Sequence, residues 1–260
     1  MKLKPKDLIT EILEKFYAEF NIKFKYNKNG ELDLSRYFNF RLKLIEAKPR
    51  KVHIAKESIE IIFLSEHKVD ILNLLEKIKK GIDINPHQSK QSFNADYHDM
   101  LFNDWGIHHL HLNHNKKRPA DYFNIRTGPL LFVKFDKENA YVIGLKKHSD
   151  KNLWSDKDII RLIRNNWNYL LEPFEVGNGN WFPNFDDKEI GIVRNKGYTF
   201  SINVDDKSYL MIGDGYSSSG DNSTAMSLAN EVLRWIGKNL ELFEIDKNEF
   251  KKGLIKEMQL

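Results

Sequence analysis

The chain has 260 residues, 41% of them apolar and 30% charged, which is enough to fill a core. It has no cysteine, and that excludes disulfide scaffolds, zinc ribbons, iron–sulfur sites and thiol nucleophiles. The net charge of +4 is uneven, at +9 over residues 1–171 and −5 over 172–260, which permits a polyanion partner for the basic part or attraction between the two parts. No apolar run reaches the roughly 18–20 residues of a membrane span, and the N-terminal segment lacks a secretory apolar stretch, so a soluble, cytoplasmic protein with no membrane contact is expected.

Residues 5–20 set Leu8, Ile9, Ile12, Leu13, Phe16 and Phe20 on one helical stripe behind Pro5. Ile22, Phe24 and Tyr26 alternate ahead of Asn29-Gly30, which predicts a strand and hairpin. The alternation continues over 36–55, past the basic corner Lys48–Lys51. Residues 59–64 suit a strand or a helix. A helix is predicted over 66–80, with Val69, Leu72, Leu75 and Ile78 inward and Gly81 as its stop. Residues 82–95, with Pro86 and a polar cluster, read as a linker.

Residues 107–112, IHHLHL, predict a strand, and 129–135 with 139–147 predict a hairpin. Ser155 and Asp158 have the spacing of a capping box for a helix reaching about residue 170, with Ile159, Ile160, Leu162, Ile163 and Trp167 buried. Residues 172–188 read as irregular. Three short strands follow, near 190–194, 197–204 and 208–214, the last two joined at Asp205-Asp206. The loop 213–220 lacks the order of a phosphate-binding loop, and Ser217, Ser218 and Ser219 lack a nucleophile elbow. Asn222 or Ser223 caps a long helix with Leu228, Val232, Trp235 and Leu242 on one stripe, and a charged, helical tail ends the chain.

The class is therefore α+β: antiparallel hairpins with flanking helices, in two or three subdomains. The expected division is an N-terminal α+β region at 1–81, the linker 82–95, a His-rich domain at 96–171 and an acidic α+β domain at 172–260.

Six of the nine histidines lie between 98 and 148: His98, His108, His109, His111, His114 and His148. On a strand, His109 and His111 share one face with Ile107, while His108, Leu110 and Leu112 share the other. The leucine face should meet the core, which sends His109 and His111 together toward solvent or a groove. Imidazoles two apart on a strand lie about 7 Å apart. That spacing suits a base and an acid at one phosphate, or two ligands of a metal, or simply a His-rich surface strand. Lys116, Lys117, Arg118 and Arg126 surround them in sequence. Asp96 and Asp99 flank His98 and read first as a helix cap.

The order of these features resembles the bacterial ribonuclease toxins of the RelE and YafQ type. A His-bearing strand precedes a hairpin whose last strand ends in Lys147-His148-Ser149-Asp150, followed by Leu153 and Trp154. The resemblance covers about residues 105–165. It implies that His148 is a catalytic histidine, that His109 or His111 is its partner on the preceding strand, and that Trp154 stacks on a base. Asp150 of the same motif joins the catalytic set.

Metal-free RNA cleavage needs a base for the 2′-hydroxyl proton, an acid for the leaving 5′-oxygen and a cation for the phosphate. Histidine serves either proton role near neutral pH, and Arg126 suits the phosphate. Lys116, Lys117 and Arg118 are the expected RNA contacts. The expected activity is thus a metal-independent endoribonuclease without cofactor, with RNA as partner, on the ribosome, and an antitoxin protein as its restraint. The alternative is a non-catalytic nucleic-acid- or partner-binding protein of a defence or mobile-element system. The acidic third either packs over the basic surface and limits RNA access, or forms a second domain that packs away from the histidines.

Overall fold

The computed structural model describes residues 4–126, 128–178, 181–217 and 219–259; Ser218 of the serine loop lies outside them. The chain opens with helices α1 (Pro5–Glu19) and α2 (Leu34–Lys43), then strand β1 (Lys51–Ile54) and helices α3 (Lys56–Leu64) and α4 (Lys68–Lys80). A short helix α5 (Met100–Trp105) leads into β2 (Ile107–His111), β3 (Pro129–Phe135), β4 (Asn139–Lys147) and α6 (Asp158–Trp167). Then come β5 (Glu175–Gly177), α7 (Asp187–Asn195), β6 (Ser201–Val204) and β7 (Lys207–Leu210). Helices α8 (Ser223–Lys238), α9 (Leu240–Ile245) and α10 (Lys247–Glu257) close the chain. No helix among the described residues is long and apolar enough to cross a membrane. The fold is α+β.

Two compact units result, and both are discontinuous in sequence. One comprises 1–42, 91–98 and 221–260; the other comprises 43–90 and 99–220. The boundaries therefore differ from the four consecutive segments expected. Residues 1–81 divide at 42, and the acidic third divides at 220.

The first unit is helical. The α1 stripe buries Leu8, Ile9, Ile12 and Leu13, and Tyr17 extends it. Phe16 meets the edge of Tyr37 at 5.5 Å between ring centres, and the Tyr37 hydroxyl donates to the Met258 carbonyl at 2.9 Å. Phe250 packs on Trp235 and on Phe243, each at 5.1 Å. Asn222 caps α8 by accepting from the Thr224 and Ala225 amides. The buried stripe of α8 is Ala225, Ala229, Val232 and Ile236, so Leu228 and Trp235 sit beside it rather than on it.

The strand predicted at 22–26 does not form, and of the alternating stretch 36–55 only the short β1 is a strand. Asn27 closes a turn by accepting from the Asn29 and Glu31 amides, while residues 34–43 coil into α2. Leu34, Tyr37 and Phe38 are all buried, and i, i+3, i+4 is the helical period. The alternation of Tyr37, Asn39 and Arg41 competes with that period in the same residues.

The second unit is built on a sheet of order β1-β4-β3-β2, antiparallel except for the parallel pair of β1 and β4. Both faces are covered, which explains the unbroken apolar run of β3. Leu130 and Phe132 enter one core with Ile107, Ile159, Ile163 and Ile202. Leu131 and Val133 enter the other with Leu110, Ile71, Leu74 and Ile78. The pairing slips where Phe132 faces Gly144 and Val133 faces Val142, leaving Ile143 bulged into the first core.

Helix α4 buries Leu75 and Ile78 as expected, but its inward face is turned so that Ile71 and Leu74 replace Val69 and Leu72. Ile71, Leu74, Leu75 and Ile78 are buried, whereas Val69 and Leu72 are exposed. Residues 59–64 fall within the helix α3. The expected linker 82–95 is instead built in: His87 and Asn85 are buried, and the Asn85 side chain bonds both the amide and the carbonyl of Ile45.

A second sheet of order β5-β7-β6 carries the β6–β7 hairpin, turned at Asp205 and Asp206 as expected. The segment 190–194 is not a strand but part of α7. Asp186 and Glu189 form a reciprocal capping box that starts this helix. The Ser155–Asp158 box is absent. Helix α6 starts after Lys157 without a side-chain cap, and its buried stripe is Ile159, Ile160, Ile163 and Trp167.

Candidate active site

Strand β2 alternates as the sequence requires, but neither face is open. Ile107, His109 and His111 lie on the side of the first core, and Leu110 enters the second. His111 is 3% exposed and the His109 side chain 11%, so these imidazoles form part of a core margin rather than a solvent face. His108, on the opposite side, sits between Phe102 at 4.8 Å and Phe135 at 5.5 Å. Burial pushes its pKa down to about 3.

His148 follows the last residue of β4 and is exposed. Its ring lies 5.8 Å from that of His111, centre to centre. The turn beyond it is fastened by Asp150, whose Oδ2 accepts from the Lys147 amide at 2.7 Å. That oxygen of the carboxylate fastens the turn that follows His148.

Leu153 anchors the following segment in the first core. Trp154 stacks on Phe132 at 6.1 Å and meets His109 at 4.9 Å and His148 at 5.9 Å, both at steep angles. With 39% of its surface exposed, the indole roofs the cluster and still shows one side to solvent.

The carboxylate next to the histidines is Asp99. One oxygen caps α5 by accepting from the Phe102 amide at 3.1 Å, and the other lies 3.8 Å from His109 Nδ1. Burial holds the His109 pKa below its ordinary value. Asp99 pulls the other way, while the charges of His148 and Arg126 add to the depression. The imidazole is thus kept neutral beside a counter-ion. Arg126 donates to the Ser89 hydroxyl at 2.9 Å and stands exposed at the foot of the loop.

Lys116, Lys117 and Arg118 are exposed on the outer arm of that loop. Lys116 bridges Asn124 through the backbone and its charge acts on Lys77, whereas Arg118 pairs with Asp121. The structure thus brings His109, His111, His148 and Trp154 together, with the charge of Arg126 acting on His109, and among the described residues no such link is seen for the basic triplet.

Sequence reading gave Asp99 only its capping role, because nothing in the spacing shows that its second oxygen turns toward His109. It also missed Asp104 and Arg194. Arg194 Nε and Nη2 reach Asp104 Oδ2 at 2.9 and 2.5 Å, its guanidinium covers Trp105 at 4.5 Å, and it donates to the Trp154 carbonyl. Ninety residues separate that pair, so only the folded chain reveals it.

Among the described residues no three His, Asp or Glu side chains are grouped to hold a metal ion. No family model matches the chain. No curated protein and no solved structure matches it either. The functional reading therefore rests on the geometry of the cluster itself.

Proposed function

We propose that this chain is an endoribonuclease that cleaves RNA by acid–base chemistry at His109 and His148, with His111 beside them. The observation that carries the reading is the convergence of three imidazoles, an indole and a carboxylate, drawn from β2, the end of β4 and two loops, with the charge of Arg126 acting on His109 from a third. His109, kept neutral by burial and oriented toward Asp99, removes the proton of the 2′-hydroxyl. The 2′-oxygen attacks phosphorus and the bond to the 5′-oxygen breaks. His148, exposed at the end of β4, delivers a proton to that leaving oxygen. The products are a 2′,3′-cyclic phosphate and a 5′-hydroxyl. Arg126 neutralises the charge that builds on the phosphate, and the open side of Trp154 stacks a base. His111 packs beside His148 and sets its position.

The test is cleavage of a mixed RNA by the full chain in the presence of a strong chelator. Cleavage with cyclic phosphate ends is expected. His109→Gln and His148→Gln should each lower kcat by about 10²–10⁴-fold with RNA binding retained. A folded protein that binds RNA in a salt-dependent way and never cuts it would replace the nuclease reading with the binding-protein reading.

A further inference from the structure

A second group of histidines lies outside the cluster under Trp154. The Lys77 ammonium of α4 lies 3.1 Å from His87 Nε2 and 3.1 Å from His114 Nδ1. The two rings meet edge to face at 4.8 Å. An ammonium has donors only, so both of those ring nitrogens are acceptors and carry no proton. Each ring must then hold its proton on the other nitrogen. Those nitrogens face carbonyls, as this requires: His87 Nδ1 donates to the His111 carbonyl at 2.8 Å, and His114 Nε2 to the Asp70 carbonyl at 2.9 Å. Four hydrogen bonds thus agree on one tautomer for each ring.

The His111 carbonyl closes β2, which is an edge strand of its sheet and has β3 on one side only. An outward carbonyl at a buried edge needs a partner from outside the ladder, and His87 is that partner. From the same residue the His111 ring projects to His148.

We propose that Lys77 and His87 are positioning residues for His111, the ammonium fixing the His87 tautomer and His87 fixing the end of β2. The inference rests on the reading of His111 as part of the cleavage site. Protonation of either ring would remove an acceptor and set two positive charges against each other. Asp83 and Lys116 also face Lys77; Asp70 faces both His114 and His67; and His111 adds to the field at His87. Burial holds His87 neutral down to about pH 4, so the linkage is intact throughout the neutral range.

The test is nitrogen-15 NMR of the imidazoles in the full chain, with Lys77→Met and Lys77→Arg beside it. At pH 7 the parent should show His87 protonated on Nδ1 and His114 on Nε2. Lys77→Met should shift the His111 and His148 resonances and, where RNA is cut, lower kcat about 10-fold or more with KM unchanged. Lys77→Arg, which keeps two donors, should restore both. If Lys77→Met does not fold, His87→Phe, which removes both the acceptor for Lys77 and the donor to the His111 carbonyl, is read in the same way. The opposite tautomer at His87, or unmoved His111 resonances in a folded variant, would overturn the proposal. Absence of cleavage by the parent chain would instead remove the nuclease reading and leave the NMR result standing.

Discussion

Three histidines within five residues of β2 have three different environments, and the period of the strand assigns them. His108 faces the second core and is closed in by two phenylalanines, His109 lies against Trp154, and His111 lies beside His148. An imidazole in the unfolded chain takes its proton near pH 6.5. His108 refuses it down to about pH 3 in the fold. Stability from this residue is therefore complete above pH 6.5 and is lost as the pH falls toward 3, because the unfolded state binds a proton that the folded state does not. Between pH 7.5 and pH 5 that loss is about 2 kcal/mol. His108→Phe should flatten this part of the profile in urea titrations at the two pH values. An equal loss in the variant would place the acid sensitivity elsewhere. At His109 the corresponding experiment is Asp99→Asn. It removes the counter-ion but keeps the cap acceptor, so kcat should fall with little change in melting temperature. An unchanged pH profile of cleavage would show that Asp99 only caps α5.

Elements were legible where one period dominates, and illegible where two overlap or where the partner is far away in sequence. The β3–β4 hairpin, the β6–β7 hairpin and the α8 cap follow from apolar runs and turn residues, and all three stand as expected. Residues 34–43 offer a period of two and a period of 3.6 together, and burial of Leu34, Tyr37 and Phe38 decides for the helix. The apolar run at 190–193 looked like a strand because its cap lies upstream, at Asp186 and Glu189. The end of α4 was readable to the residue. Gly81 has φ +69°, and an added Cβ would stand 2.5 Å from the Pro49 nitrogen. Gly81→Ala should therefore cost more than the ~1 kcal/mol of a left-handed alanine alone, read from the shift in urea midpoint. A cost below that would mean that the 48–49 backbone gives way freely. For α7 the decisive contact is Arg194 with Asp104. Arg194→Met leaves a buried carboxylate unpaired, for an expected loss of about 3–5 kcal/mol, and frees the Trp154 carbonyl. Asp104→Asn keeps an acceptor and should cost less.

At the scale of the molecule, the uneven charge suggested consecutive domains, but packing groups the chain otherwise. The acidic third does not form one body: 172–220 completes the sheet-based unit and 221–260 completes the helical one. Composition cannot reveal this, because a segment's charge says nothing about which apolar stripe it covers. A chain ended at Leu171 should lose both units. The first core would lose Ile190, Ile202, Val204, Tyr209 and Ile212, each worth about 1.5–3 kcal/mol when buried. It would also lose Arg194, leaving Asp104 buried without its partner. The helical unit would lose Phe250 and Met258, the latter holding the Tyr37 hydroxyl. For the sheet-based unit the loss is as large as the 5–15 kcal/mol by which a domain of ordinary stability folds. Thermal melting of the shortened chain should therefore show no cooperative transition, and its near-ultraviolet circular dichroism should be flat. A cooperative melt with a native aromatic signal would show that residues 43–171 close a core by themselves, and that the second sheet with α7 is an addition to it.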